Sequence, residues 1–183
     1  MDGRKHILIM GRPGIGKTTA LRRVLEGLDP QRVSGFYTEE IRAGGSRRGF
    51  KVKTLDGKEG LLAHVDVQGG PRVGKYGIDV RGFERIALRV IDPRRVRADV
   101  IVIDEIGKME CLSEAFEGCV GEILTSHKML VGTVAQRGGG LIEEIKGRED
   151  IAIFELTPKN REVLVQRIRA KLRELNIGFR CAK

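Results

Sequence analysis

The chain alternates between two hydrophobic regimes. Four short apolar runs rich in β-branched residues, 7–10, 98–103, 128–134 and 151–156, lack a polar face. They predict strands covered on both sides. Between and around them, apolar residues recur at three- and four-residue spacing. Leu112, Phe116, Cys119, Val120, Ile123 and Leu124 predict a helix over 112–126 with one buried face, and helical patterns also cover 19–28, 82–90 and 141–145. Thr157 and Pro158 read as the cap and first turn of a last helix that turns Val163, Leu164, Ile168 and Leu172 to the core. A third texture occupies 32–65, where strand-like segments at 32–41, 49–55 and 60–65 are separated by the Gly44-Gly45 turn and the Asp56-Gly57 turn. Strands alternating with helices imply a mainly parallel sheet flanked by helices, and the 32–65 meander an antiparallel extension at one edge. With no repeat or linker, residues 1–183 read as one domain.

The first apolar run leads directly into Gly11-Arg12-Pro13-Gly14-Ile15-Gly16-Lys17-Thr18, which fits G-x-x-x-x-G-K-[ST] between a strand and a helix. Such a loop turns backbone N–H groups onto a phosphate, and the following helix N-terminus adds its positive end. Gly11, Gly14 and Gly16 let the chain pass close to phosphate oxygens. Lys17 supplies a point charge toward the β- and γ-phosphates, and the Thr18 hydroxyl is a ligand for Mg²⁺. The implied ligand is a nucleoside triphosphate.

The second buried run ends in Asp104-Glu105. Acids at the carboxyl end of a parallel strand stand where open α/β sheets bind ligands. Asp104 is expected in the Mg²⁺ shell. Strand alternation aims Glu105 elsewhere, to polarise an attacking water.

Composition narrows the class without naming it. Hydrophobic content of 40% and charged content of 32% describe a globular chain, and no apolar run is long enough to span a membrane. The start Met1-Asp2-Gly3-Arg4-Lys5 has no signal-peptide character, so a cytoplasmic location is expected. Cys111, Cys119 and Cys181 lack metal-ligand spacing and are expected to remain free thiols. The net charge of +9 admits attraction to nucleic acid, yet the basic residues are dispersed and aromatics make up only 4%, leaving little to stack bases.

Several segments together resemble one family. The phosphate loop, 35–40 (Gly-Phe-Tyr-Thr-Glu-Glu), 48–50 (Arg-Gly-Phe), 102–110 (Val-Ile-Asp-Glu-Ile-Gly-Lys-Met-Glu), 131–133 (Val-Gly-Thr) and Asn160-Arg161 are similar to the small P-loop nucleoside-triphosphatases, the family of the vertebrate cancer-related nucleoside-triphosphatase. The resemblance covers nearly the whole chain. It implies a RecA-like core and slow, Mg²⁺-dependent hydrolysis of several nucleoside triphosphates to the diphosphate and phosphate. It carries nucleotide contacts to Gly11, Arg12, Pro13, Gly14, Ile15, Gly16, Lys17, Thr18 and Thr19, and to Ile101, Val102, Ile103, Asp104, Glu105, Ile106, Gly107 and Lys108.

On this reading Lys17 and Mg²⁺ offset phosphate charge while Glu105 deprotonates water. Lys108, one short turn on, is a candidate to reach the γ-phosphate or Glu105. Arg161 is a candidate contact to the base or a phosphate, and Thr38 or Glu39 to the water or metal. The guanine-selecting Asn-Lys-x-Asp pattern is missing, so ATP, GTP, CTP and UTP are all expected substrates, handled by a monomer. Two other readings remain open: a nucleotide or small-molecule kinase, for which 42–48 would be the lid, and a nucleic-acid-stimulated ATPase or switch.

Overall fold

The computed structural model describes residues 5–175 and Ile177, so Cys181 lies outside the described residues. Its centre is a nine-stranded sheet. Strand β1 (His6–Gly11) runs into helix α1 (Lys17–Leu25), followed by β2 (Val33–Ala43), β3 (Ser46–Thr54), β4 (Glu59–His64), β5 (Arg72–Val73) and β6 (Tyr76–Ile78). Helix α2 (Val80–Ile91), β7 (Val100–Ile106), α3 (Glu114–Thr125), β8 (Met129–Ala135), α4 (Leu141–Gly147), β9 (Ile151–Glu155) and α5 (Arg161–Glu174) complete the order.

Across the sheet the strands lie β5-β6-β4-β3-β2-β7-β8-β1-β9. The five from β2 to β9 pair in parallel, and β2, β3, β4, β6 and β5 continue the sheet by antiparallel pairing. This is an α/β P-loop NTPase-like fold.

Two buried clusters explain why the central runs are apolar on both faces. Leu8, Ile101, Ile103 and Leu130 pack on one side with Phe83, Phe116 and Ile142 of α2, α3 and α4. Ile7, Ile9, Val100, Val102 and Val131 pack on the other with Leu21 of α1 and Leu164, Ile168 and Leu172 of α5. Successive residues of one strand therefore enter different cores, which is the two-residue period of a pleated strand. The junction between the parallel and antiparallel halves depends on Gly35, at φ 141, whose absent side chain would strike the Val102 carbonyl oxygen across the β2–β7 pair.

Several boundaries depart from the sequence reading. The strands β5 and β6 were not expected; each is so short that neither period nor composition marks it. The Gly44-Gly45 turn is tighter than expected, so β2 and β3 extend to Ala43 and Ser46. Residues 42–48 are thus strand ends and a tight turn rather than a lid, with Arg42 and Arg47 both paired to Glu40. Leu112 is not on α3 but in a preceding 3₁₀ turn and is exposed; Ser113 caps α3 by accepting from the Phe116 N–H at 3.0 Å. The last helix begins at Arg161 rather than at Pro158, because Asn160 uses its side chain on the turn, accepting from the Thr157 N–H at 2.8 Å and donating to the Glu155 carbonyl at 2.8 Å. Val163 consequently faces outward, 60% exposed, and does not join Leu164, Ile168 and Leu172 in the core.

Candidate active site

The loop after β1 holds the shape that a phosphate cradle needs. Gly14 and Gly16 take φ of 75 and 99, values that a side chain strongly disfavours. Gly11 has a different role: a Cβ there would stand 3.0 Å from the Leu156 carbonyl oxygen and 3.1 Å from Ile15 Cγ2. Arg12, Pro13 and Gly14 are exposed, leaving the loop open to a ligand, and Lys17 and Thr18 form the first turn of α1.

Lys17 is buried and points back under the loop. Its Nζ donates to the Gly11 carbonyl oxygen at 3.2 Å and stands 3.3 Å from Glu105 Oε2. Asp104, 2% exposed, is held by two hydroxyls: Thr18 Oγ1 donates to its Oδ2 and Thr133 Oγ1 to its Oδ1, each at 2.6 Å. The Asp104 backbone carbonyl accepts from the Thr38 hydroxyl. One helix, α1, and two strands, β8 and β2, are tied to this residue of β7 in this way.

The direction of Glu105 has another cause than strand alternation. The ladder between β7 and β8 shifts register between Ile103 and Ile106, so the two acids stand outside regular pairing. Glu105 turns to Lys17. Burial pushes its carboxyl above the ordinary range, the Lys17 ammonium pulls it back, and the Asp104 charge pushes it up again. Asp104 is likewise raised by burial and opposed by the Thr133 and Thr18 hydrogen bonds and by Lys17.

A third acid joins them. Glu110, 5% exposed at the start of the 3₁₀ turn Glu110–Leu112, brings Oε2 to 3.0 Å from where a Cβ on Gly107 would lie, with Glu105 Cγ 3.5 Å from the same point. Burial first, and then the nearby Glu105 and Asp104 charges, lift its carboxyl to about 8 despite hydrogen bonds from backbone N–H groups of Glu110 and Gly107.

These groups open onto a cavity of about 1040 Å³ that runs from the loop past Asp104, Glu105, Gly107 and Lys108 to Gln136 and Arg137. Lys108 is exposed at its wall, but the cation beside Glu105 is Lys17. Ile101, Val102, Ile103 and Ile106 have 0% exposure, so they support the acids from within the sheet and have no surface to offer a nucleotide. Ile15, Thr19 and Arg161 do not line this cavity; Arg161 is exposed at the start of α5. Glu39 pairs with Arg22 and Lys51 instead of facing the acids. Phe36 is buried and Tyr37 half-buried, while Thr38 reaches Asp104.

Thr133 and Glu110 were given no role by sequence reasoning. A threonine inside the apolar run of β8 is the signal that was available for the first, since a hydroxyl buried among aliphatic residues needs a partner. For Glu110 the sequence shows only an acid on a loop; its burial depends on how the turn folds under Gly107.

A metal ion fits this donor set. The Thr18 hydroxyl and the Asp104 carboxylate are hard oxygen donors already 2.6 Å apart. Among the described residues no cluster of three His, Cys, Asp or Glu has metal-holding geometry. No described helix is long and apolar enough to cross a membrane.

Comparison with known proteins gives the same picture. The nucleoside-triphosphatase THEP1 of Thermotoga sp. strain RQ2 is 46% identical over 167 residues, 91% of this chain and 95% of its own. The human cancer-related nucleoside-triphosphatase is 40% identical over 176 residues, covering 88% of this chain and 93% of its own. The crystal structure of THEP1 from the hyperthermophile Aquifex aeolicus superposes with a TM-score of 0.81 at 35% identity, over 91% of this chain and 98% of that one. The profile of the family described as NTPase matches residues 6–169, and the chain belongs to that family.

Proposed function

We propose that this chain is a single-domain, Mg²⁺-dependent nucleoside-triphosphatase that hydrolyses ATP, GTP, CTP and UTP to the diphosphate and phosphate, with water activated by Glu105. The observation that carries the reading is the Lys17–Glu105 contact of 3.3 Å beside an open phosphate loop. A triphosphate on the loop competes for the Lys17 ammonium. Its γ-phosphate draws the lysine away, and Glu105 loses the charge that held its proton affinity down. The base is thereby strengthened when substrate arrives, and it accepts the proton of a water attacking the γ-phosphorus in line while the bond to the β-phosphate oxygen breaks.

Thr18 and Asp104 are the residues that would hold Mg²⁺, and Thr133 and Thr38 fix Asp104 against them. Bound there, the ion supplies positive charge to the β- and γ-phosphate oxygens. Lys108, at the cavity wall, adds positive charge near the γ-phosphate. The loop recognises phosphates through backbone groups shared by all four substrates, which supports broad specificity. Action as a monomer in the cytoplasm completes the proposal.

The test is phosphate release from the four triphosphates with Mg²⁺, for the wild type and for Glu105→Gln. The variant should bind nucleotide as before and turn over about 10²–10⁴-fold more slowly, the usual contribution of a general base. Equal losses in affinity and turnover would move Glu105 out of catalysis. Tight binding without release in the wild type would restore the kinase reading, and strong, salt-sensitive stimulation by polynucleotide the nucleic-acid one.

A further inference from the structure

The cavity that opens on the phosphate loop does not end at the acids. It continues past Glu105 to Phe50 of β3, Leu62 of β4, Val73 of β5 and Met109, side chains that offer nothing to a phosphate. Its volume of about 1040 Å³ stands at the upper end of the roughly 300–1000 Å³ of ligand pockets. The strand order fixes where this apolar end lies. Going from β1, which carries the phosphate loop, the sheet passes β8, then β7 with the acids, then β2, and only then β3 and β4. A triphosphate seated on the loop with its γ-phosphate toward Lys17 and Glu105 therefore has the apolar end on the side from which water attacks. On that seating the nucleoside would lie the other way.

This end is built for an apolar body bearing a negative group. Phe50 stands edge-on to Tyr76 at 5.3 Å between ring centroids, which holds the ring in place. The Arg47 guanidinium sits 5.4 Å from the Phe50 centroid and pairs with Glu40, while its Nε is buried without a hydrogen-bond partner. Glu40 already answers Arg42 at 2.6 Å, so one carboxylate is shared between two guanidiniums and Arg47 retains donors for a further acceptor. Met109 supplies a soft, adaptable wall. A half-buried apolar floor of Phe50, Val73 and Met109, ending in a guanidinium that shares its carboxylate partner with Arg42, next to a polyanion site, matches an organic anion better than it matches water.

We infer that Phe50, Val73, Met109 and Arg47, backed by the buried Leu62, form a second-ligand subsite for a small organic anion with an aromatic or aliphatic body, adjoining the γ-phosphate. Occupancy excludes the attacking water and slows hydrolysis without displacing the triphosphate. The inference rests on the proposed seating of the triphosphate on the loop.

The experiment uses 8-anilinonaphthalene-1-sulfonate, an aromatic body with one sulfonate, on the full chain. Its fluorescence is titrated with and without the non-hydrolysable analogue AMP-PNP and Mg²⁺, and phosphate release from ATP is followed at increasing probe. The expected results are saturable binding that survives AMP-PNP, a falling kcat with KM for ATP unchanged within about twofold, and an approximately tenfold weaker probe in Arg47→Ala and in Phe50→Ala. Both variants should release phosphate like the wild type when no probe is present. A probe that AMP-PNP displaces, or that raises KM alone, would make the apolar end part of the nucleotide site and overturn the inference. Undiminished probe affinity in both variants would overturn it as well. The fluorescence arm does not need turnover, so a chain that binds AMP-PNP but releases no phosphate would refute the proposed hydrolysis while leaving the subsite fully tested.

Discussion

Glu110 should make the protein less stable as the solution becomes more alkaline. Unfolded, its carboxyl titrates near 4.5; folded, it holds its proton up to about 8, because ionising it means placing a charge in a dry site beside Glu105 and Asp104. Between those two values the folded chain binds more protons than the unfolded one, so stability falls with rising pH across that window and is fully retained below it. At about 1.4 kcal/mol per pH unit, the interval from 4.5 to about 8 accumulates a penalty on the order of 5 kcal/mol. Glu110→Gln keeps the shape and the acceptor for the Gly107 and Glu110 N–H groups but does not ionise. Urea unfolding at pH 5, 7 and 9 should show the two proteins nearly level at pH 5 and the variant more stable by several kcal/mol at pH 9. Titrating groups remote from Glu110 are common to both chains and cancel in the difference, while Glu105 and Asp104, which share its field, are relieved in the variant and act in the same direction. Parallel stability curves, or a gap that closes as pH rises, would refute the reasoning and mean that Glu110 is charged in the fold.

Two further expectations follow from the contacts around the acids and the sheet junction. Thr133→Val removes one donor from the buried Asp104 at constant volume and should cost about 1–3 kcal/mol in urea unfolding, with Thr133→Ser restoring it; it should also raise the Mg²⁺ concentration needed for half-maximal phosphate release, and an unchanged metal requirement would show that Thr133 does not position Asp104. Gly35→Ala forces a side chain into both an unfavourable φ and the Val102 carbonyl, so a loss of at least about 3 kcal/mol is expected, roughly 6–12 °C in Tm by calorimetry; a Tm within about 2 °C of the wild type would contradict the assigned β2–β7 contact.

The parts of the site that could be read from the chain are those whose chemistry is contiguous. Gly11 to Thr18 form one loop in which each residue acts through its own backbone or a single reach, so spacing alone carries the geometry. Asp104 and Glu105 were legible for the same reason, as acids ending a buried run. The direction of Glu105 was not. It follows from a register break between Ile103 and Ile106 and from Lys17, 88 positions away in sequence terms, folding back to 3.3 Å. Ile101 to Ile103 lie wholly buried behind the acids, since a motif marks a stretch of chain whereas burial marks which of its atoms a ligand can touch.

Local pattern by itself determined the alternation of strands and helices, the phosphate loop and the acidic strand end, since periodicity and glycine placement are properties of neighbouring residues. Tertiary structure decided what those neighbours meet. Thr133 and Thr18 converge on Asp104 from β8 and α1, and Glu110 is pressed beneath Gly107. Phe50 of β3 and Leu62 of β4 are carried to the far side of Glu105 by a strand order that no local pattern specifies. Such contacts depend on which strands become neighbours, a choice made by burying two apolar faces at once across the whole sheet, and a residue's own surroundings in sequence hold no record of it.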